Sequence, residues 1–213
     1  MIPLSEALLL LVLLGDFAVL GASRLTFTIR ITAFQGFLLG LLPLAIHHPW
    51  TGHGFLLASG TMVVKGLVLP GVLRWAMREA AVRREMEPSL GPLSSVAAGL
   101  VTLGLGLAPG RHLPALEPRL PRLLVATSLT TVMCGFLVLT TRRKAMTQVV
   151  GYLLLENGVY LFGMTLAGRV PLLVEMGVLL DLLVGVFIMG LVVFHMNREL
   201  ESLDSARLAE LHD

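Results

Sequence analysis

Cysteine is almost absent from this chain: Cys134 is the one thiol in 213 residues. A lone cysteine forms no internal disulfide and cannot hold an iron–sulfur cluster without outside ligands. Charge is also scarce, at 14% of residues, against about 25% in soluble domains. With 55% hydrophobic residues and a mean hydropathy of +0.85, that scarcity excludes an ordinary water-soluble domain. No P-loop, glycine-rich dinucleotide motif or nucleophile motif is present. The histidines His47, His48, His53, His112, His195 and His212 fall in loops or at span ends, so neither haem nor a metal site is expected. No Arg or Lys precedes Arg24, so the first apolar run reads as a retained helix rather than a cleaved signal. The net charge of +2 and pI of about 9.1 do not indicate nucleic acid, because the arginines cluster in short loops between apolar runs, where they set topology.

What the chain does have is long apolar runs. Windows of about 20 residues predict about seven spans, at 2–22, 26–46, 54–76, 93–108, 123–141, 145–168 and 170–196. The expected fold is therefore all-α and polytopic, in a bacterial or archaeal cytoplasmic membrane, with the fourth span the weakest. Loops after the odd-numbered early spans and the C-terminal tail collect most of the arginines, among them Arg24, Arg30, Arg74, Arg78, Arg142 and Arg198. Opposite them lie Arg111, Arg119, Arg122 and Arg169. By the positive-inside rule the N-terminus is expected outside and the C-terminus in the cytoplasm. The predicted organisation is an N-terminal four-helix part over 1–110, a three-helix part over 120–200 and a cytoplasmic tail over 201–213.

Inside these spans a few ionisable residues stand out. Glu156 and Asp181 lie almost symmetrically about the turn near Gly168 and Arg169, so antiparallel helices rising ~1.5 Å per residue would carry both to similar depth. An acid there costs ~2.5–3.5 kcal/mol on insertion scales, and is kept where it faces protein or water and acts. Ion movement is the expectation, and Glu175, six residues before Asp181, is a further acid. On the sixth span Gln148, Tyr152, Glu156 and Tyr160 recur every four residues as one polar stripe able to pass hydrogen bonds. In the third span Lys65 precedes Pro70, whose missing N–H is expected to kink the helix beside the lysine. A buried lysine needs a carboxylate or a neutral state. Asp16 in the first span is a candidate partner, with snorkelling to water as the other option.

Residues 122–200 resemble the K subunit of respiratory complex I and the C subunit of Mrp-type cation/proton antiporters. The likeness rests on the basic turn Arg142-Arg143-Lys144, then Gly151-Tyr-Leu-Leu-Leu-Glu156-Asn, then Asp181-Leu-Leu-Val-Gly185. It implies that Glu156 and Asp181 belong to a half-membrane proton path, with glutamate replaced by aspartate at the second position and Glu175 able to share or take its role. A seven-span chain that also carries Pro171-Leu-Leu-Val-Glu175-Met-Gly-Val-Leu-Leu-Asp181 resembles the hydrogenase-4 component E family. That resemblance implies a membrane subunit of a group 4 NiFe-hydrogenase-like complex, beside antiporter-like subunits, a membrane-anchor subunit and a peripheral redox arm. No cofactor is expected on this chain; NiFe and iron–sulfur centres would lie on partners. Two other readings stay open. One is a subunit of an Mrp-like antiporter without a redox arm; the other is a scaffold whose buried acids only lock helices together.

Overall fold

The computed structural model describes residues 3–46, 52–79, 91–110, 121, 123–142, 144–166 and 190. Its elements are helical: α1 (Leu4–Gly21), α2 (Leu25–Ile46), α3 (Gly52–Val63), a π-helical turn (Val64–Val68), α4 (Leu69–Glu79), α5 (Pro92–Gly110), α6 (Leu124–Thr141) and α7 (Ala145–Leu166). Three of them, α1, α2 and α6, are individually long and apolar enough to cross a membrane. Helix α7 has the length, at 22 residues, but Gln148, Glu156 and Asn157 dilute its hydropathy. The chain from α3 through the π-turn to α4 runs on without a break. The seventh span, and with it Glu175, Asp181 and Gly185, lies outside the described residues except for position 190, as do the tail at 201–213 and Arg169.

Sequence explains the helix ends. Pro3 precedes α1 with φ −63° and its carbonyl accepts from the Glu6 and Ala7 N–H groups at 3.0 and 3.1 Å, while Glu6 lies near the positive end of the helix dipole. At the other end Ala22 leaves the helix in an extended conformation, and α2 begins at Leu25, so α1 and α2 form a tight hairpin.

Small residues set how closely the helices pack, since lipid supplies no hydrophobic drive to pull one helix onto another. A Cβ at Gly135 of α6 would lie 2.5 Å from the Leu155 nitrogen of α7, and one at Gly158 of α7 2.5 Å from the Val132 nitrogen of α6. At Gly151 it would lie 2.9 Å from the Leu139 nitrogen. These three contacts hold α6 and α7 antiparallel, backbone against backbone. In α5, Gly99 packs on Leu20 and Phe17 and Gly106 on Thr130 and the Ala126 carbonyl, whereas Gly104 faces open space. In α2, Gly40 meets Met62 and Ala58, and Gly36 meets the backbone of Lys65.

Two apolar clusters fill the interior. One gathers Val19, Leu20, Leu25, Ile29, Leu73, Val138, Val150 and Leu154. The other gathers Leu9, Val12, Leu38, Leu39, Leu42, Leu124 and Leu161. Between the contributions to these clusters fall the buried polar residues Asp16 of α1, Gln35 of α2, Thr131 of α6, and Glu156 and Asn157 of α7. A polar stratum thus crosses the bundle near the middle of its helices.

Candidate functional site

Lys65 and Glu156, separated by 91 positions, meet in this stratum: the lysine Nζ donates to Glu156 Oε1 at 3.0 Å, with the side chains only 4% and 2% exposed. The Tyr160 ring, one turn beyond Glu156 on α7, lies with its centroid 5.7 Å from the same ammonium, within cation–π range. One cation is therefore faced by a carboxylate and an aromatic ring from a single helix face. Of the options open to Lys65, Asp16 or water, the structure takes neither as the bonded partner: the lysine pairs with Glu156.

The π-turn aims the lysine. Leu69 donates its N–H five residues back to Val64, instead of four back to Lys65, and Pro70 brings no N–H to the next step of the ladder. The kink expected beside Lys65 takes the form of this wider turn, a form of helix that recurs at functional sites. Wider winding needs room, and Gly36 of α2 supplies it: a Cβ there would stand 2.6 Å from the Lys65 carbonyl carbon and oxygen.

Asp16 occupies a second buried cluster, with no exposed surface. Gln35 Nε2 donates to Asp16 Oδ1 at 2.9 Å and also to the Val12 carbonyl at 2.9 Å. Thr131 Oγ1 donates to Asp16 Oδ2 at 2.7 Å. Neighbouring hydroxyls behave differently: Thr28, Ser128 and Thr130 donate to carbonyls of their own helices, which is the ordinary way to satisfy a hydroxyl in a helix. Gln35 and Gly36 are consecutive in α2, so neighbouring faces of that helix, about 100° apart, meet Asp16 and the Lys65 backbone.

The polar stripe of α7 does not act as one ladder. Four residues exceed one turn by about 40°, and from Gln148 to Glu156 that drift carries the stripe from the surface to the interior. Gln148 is exposed and donates to the Arg142 carbonyl at 3.1 Å, so it leaves the expected relay. Tyr152 is half-buried. Glu156 is buried, and so is Asn157, the next residue along α7.

Sequence reading did not single out Gln35, Thr131 and Asn157. An amide at the centre of an apolar span was the available signal for Gln35; Thr131 is one of several threonines in α6 and carries none. Arg142, expected as a topology-setting loop charge, is instead buried, and its Nη2 caps the C-terminal end of α1 by donating to the Leu20 carbonyl at 2.9 Å. Desolvation holds this guanidinium below its ordinary proton affinity, yet it remains charged. Cys134 is a packed thiol, 3.4 Å from Thr102 Oγ1.

No family model and no solved structure matches the chain. Among curated proteins it is 34% identical over 191 residues to the uncharacterized protein Rv0085 of Mycobacterium tuberculosis, covering 87% of this chain and 85% of that one. It is 30% identical over 156 residues to hydrogenase-4 component E of Escherichia coli, covering 72% of this chain and 71% of the relative. Component E of Shigella flexneri matches to the same extent. An apolar helical chain whose likeness extends over more than two thirds of both partners belongs to the hydrogenase-4 component E family.

Proposed function

We propose that this chain is a non-redox membrane subunit of a proton- or sodium-translocating, group 4 NiFe-hydrogenase-like complex, and that its buried charges form part of the ion path. The observation that carries the reading is the Lys65–Glu156 pair, sealed from solvent at mid-helix on a π-helical turn. Burying two charges costs several kcal/mol per ion before pairing, and ionisable groups kept within a membrane mark ion pathways and proton relays. In this reading Glu156 changes its proton or its partner during turnover, Lys65 supplies the field that makes the change respond to a neighbouring charge, and Tyr160 holds the ammonium.

The reading extends to seven spans with Met1 outside and the C-terminal tail in the cytoplasm of a bacterium or archaeon, and to Asp181 or Glu175 as the second acid. The complex would include antiporter-like subunits, a membrane-anchor subunit and a peripheral arm that carries NiFe and iron–sulfur centres. Glu156→Gln in the assembled complex tests it. Ion uptake into vesicles per redox turnover should fall while subunit composition is retained. An assembled complex with uptake like the wild type would make Glu156 a fastener and favour the scaffold reading.

A further inference from the structure

We propose that the Asp16–Gln35–Thr131 cluster is a second protonatable site of this chain, on the face of α2 next to the one that meets Lys65, that takes up and releases a proton during turnover. The inference deepens the ion-translocation reading and rests on it. Four observations carry it, all geometric.

First, Asp16 is wholly buried at the core of the bundle, with both carboxylate oxygens bonded to neutral donors. Among the described residues no basic side chain bonds to it, in contrast to Glu156. A structural acid in a membrane is expected to be paired with a cation; a carboxyl held by an amide and a hydroxyl has partners for both of its protonation states. Second, both partners can reverse their roles. The threonine hydroxyl donates now and can equally accept. The Gln35 amide presents its nitrogen to Asp16, while its buried Oε1 has no hydrogen-bond partner among the described residues. Turning the amide over would bring that acceptor to a protonated carboxyl, at the expense of the bond to Val12.

Third, spare hydrogen-bonding capacity continues along α6. Thr127 lies one turn from Thr131 on the same face, and its buried hydroxyl has no hydrogen-bond partner among the described residues. An unmet buried hydroxyl next to a donor–acceptor hydroxyl is the arrangement by which a proton, carried by water, could approach the acid. Fourth, Gln35 adjoins Gly36, against which the Lys65 backbone rests, so the two sites share one stretch of α2. On uptake an O–H bond forms at a carboxylate oxygen with a proton delivered by water; on release that bond breaks and water carries the proton away.

Two measurements on the assembled complex test the site. Dicyclohexylcarbodiimide adds to protonated carboxyls in apolar surroundings, so mass spectrometry of the α1 peptide should find the adduct on Asp16 and none in Asp16→Asn. In vesicles, Asp16→Asn and Thr131→Val should lower ion uptake per turnover at least about tenfold, somewhat below the lower range of what a positioned proton-transfer group contributes. Thr131→Ser, which keeps the hydroxyl, should restore it. An unlabelled Asp16, or uptake unaffected by Thr131→Val, overturns the proposal even if Asp16→Asn fails to assemble. The two readings separate cleanly: uptake sensitive to Glu156→Gln but not to Thr131→Val defeats this site alone. Uptake sensitive to Thr131→Val but not to Glu156→Gln defeats the role given to Glu156.

Discussion

Lys65→Met should destabilise the protein by about 3–5 kcal/mol, because it leaves Glu156 as an uncompensated charge in the interior. The scale follows from the geometry. Two unit charges 3.0 Å apart attract by about 5–6 kcal/mol at an effective dielectric of about 20. Most of that offsets the desolvation of both ions, so the net worth of the pair is small while the cost of breaking it is large. Glu156→Gln should cost a similar amount by stranding the lysine. The double variant Lys65→Met/Glu156→Gln removes both charges and should recover most of the loss, so that the coupling between the two sites is at least as large as either single loss. Thermal melts of the detergent-purified protein give the comparison: both single variants should melt well below the double variant. Single losses that simply add in the double variant would refute the pairing. The double variant should also be inactive in ion uptake although stable, which separates holding the fold from moving ions.

Gly36→Ala should lower the melting temperature, because its methyl would stand 2.6 Å from the Lys65 carbonyl, and overpacking of this kind costs about 1–3 kcal/mol; Gly104→Ala, inside α5 and facing open space, should not lower it, since alanine is the better helix former. Arg142→Met should loosen the end of α1 by removing the donor to the Leu20 carbonyl, read as faster hydrogen exchange near Val19–Leu20 than in α2. Arg83→Cys and Arg169→Cys should react with a membrane-impermeant maleimide from opposite sides, against a silent background since Cys134 is buried; labelling from the same side would remove the seven-span topology.

The helices were legible because a long unbroken apolar run can satisfy its backbone in a membrane only by coiling into a helix: the expected spans 2–22, 26–46 and 123–141 lie within a few residues of α1, α2 and α6. Lys65, Glu156 and Pro70 stood out against the same background, since each is rare in an apolar helix. Their partnership was not legible. Residues 91 apart are joined by how α2, the π-turn and α7 pack, and spacing within one helix cannot report that. Periodicity misled at Gln148, where a four-residue repeat ignores the drift around the helix. Asp16 was visible as an acid, but its partners were hidden: Thr131 has the same sequence appearance as Thr130, and only one of them turns its hydroxyl to another helix.

The glycine contacts between α6 and α7 make the two ends of the ion pair mechanically unequal. Glu156 rides on a helix whose backbone touches its neighbour at Gly135, Gly151 and Gly158, so sliding or rolling that helix would drive main-chain atoms into one another. Lys65 hangs by a flexible four-carbon stem from a turn already wound off the α register and followed by proline. The carboxylate is in effect the fixed terminal and the ammonium the travelling one. Under the proposed ion path, a change of charge beside the pair is expected to move the lysine side chain rather than the glutamate, while the Lys65 backbone stays seated on Gly36 of α2, next to Gln35 and Asp16.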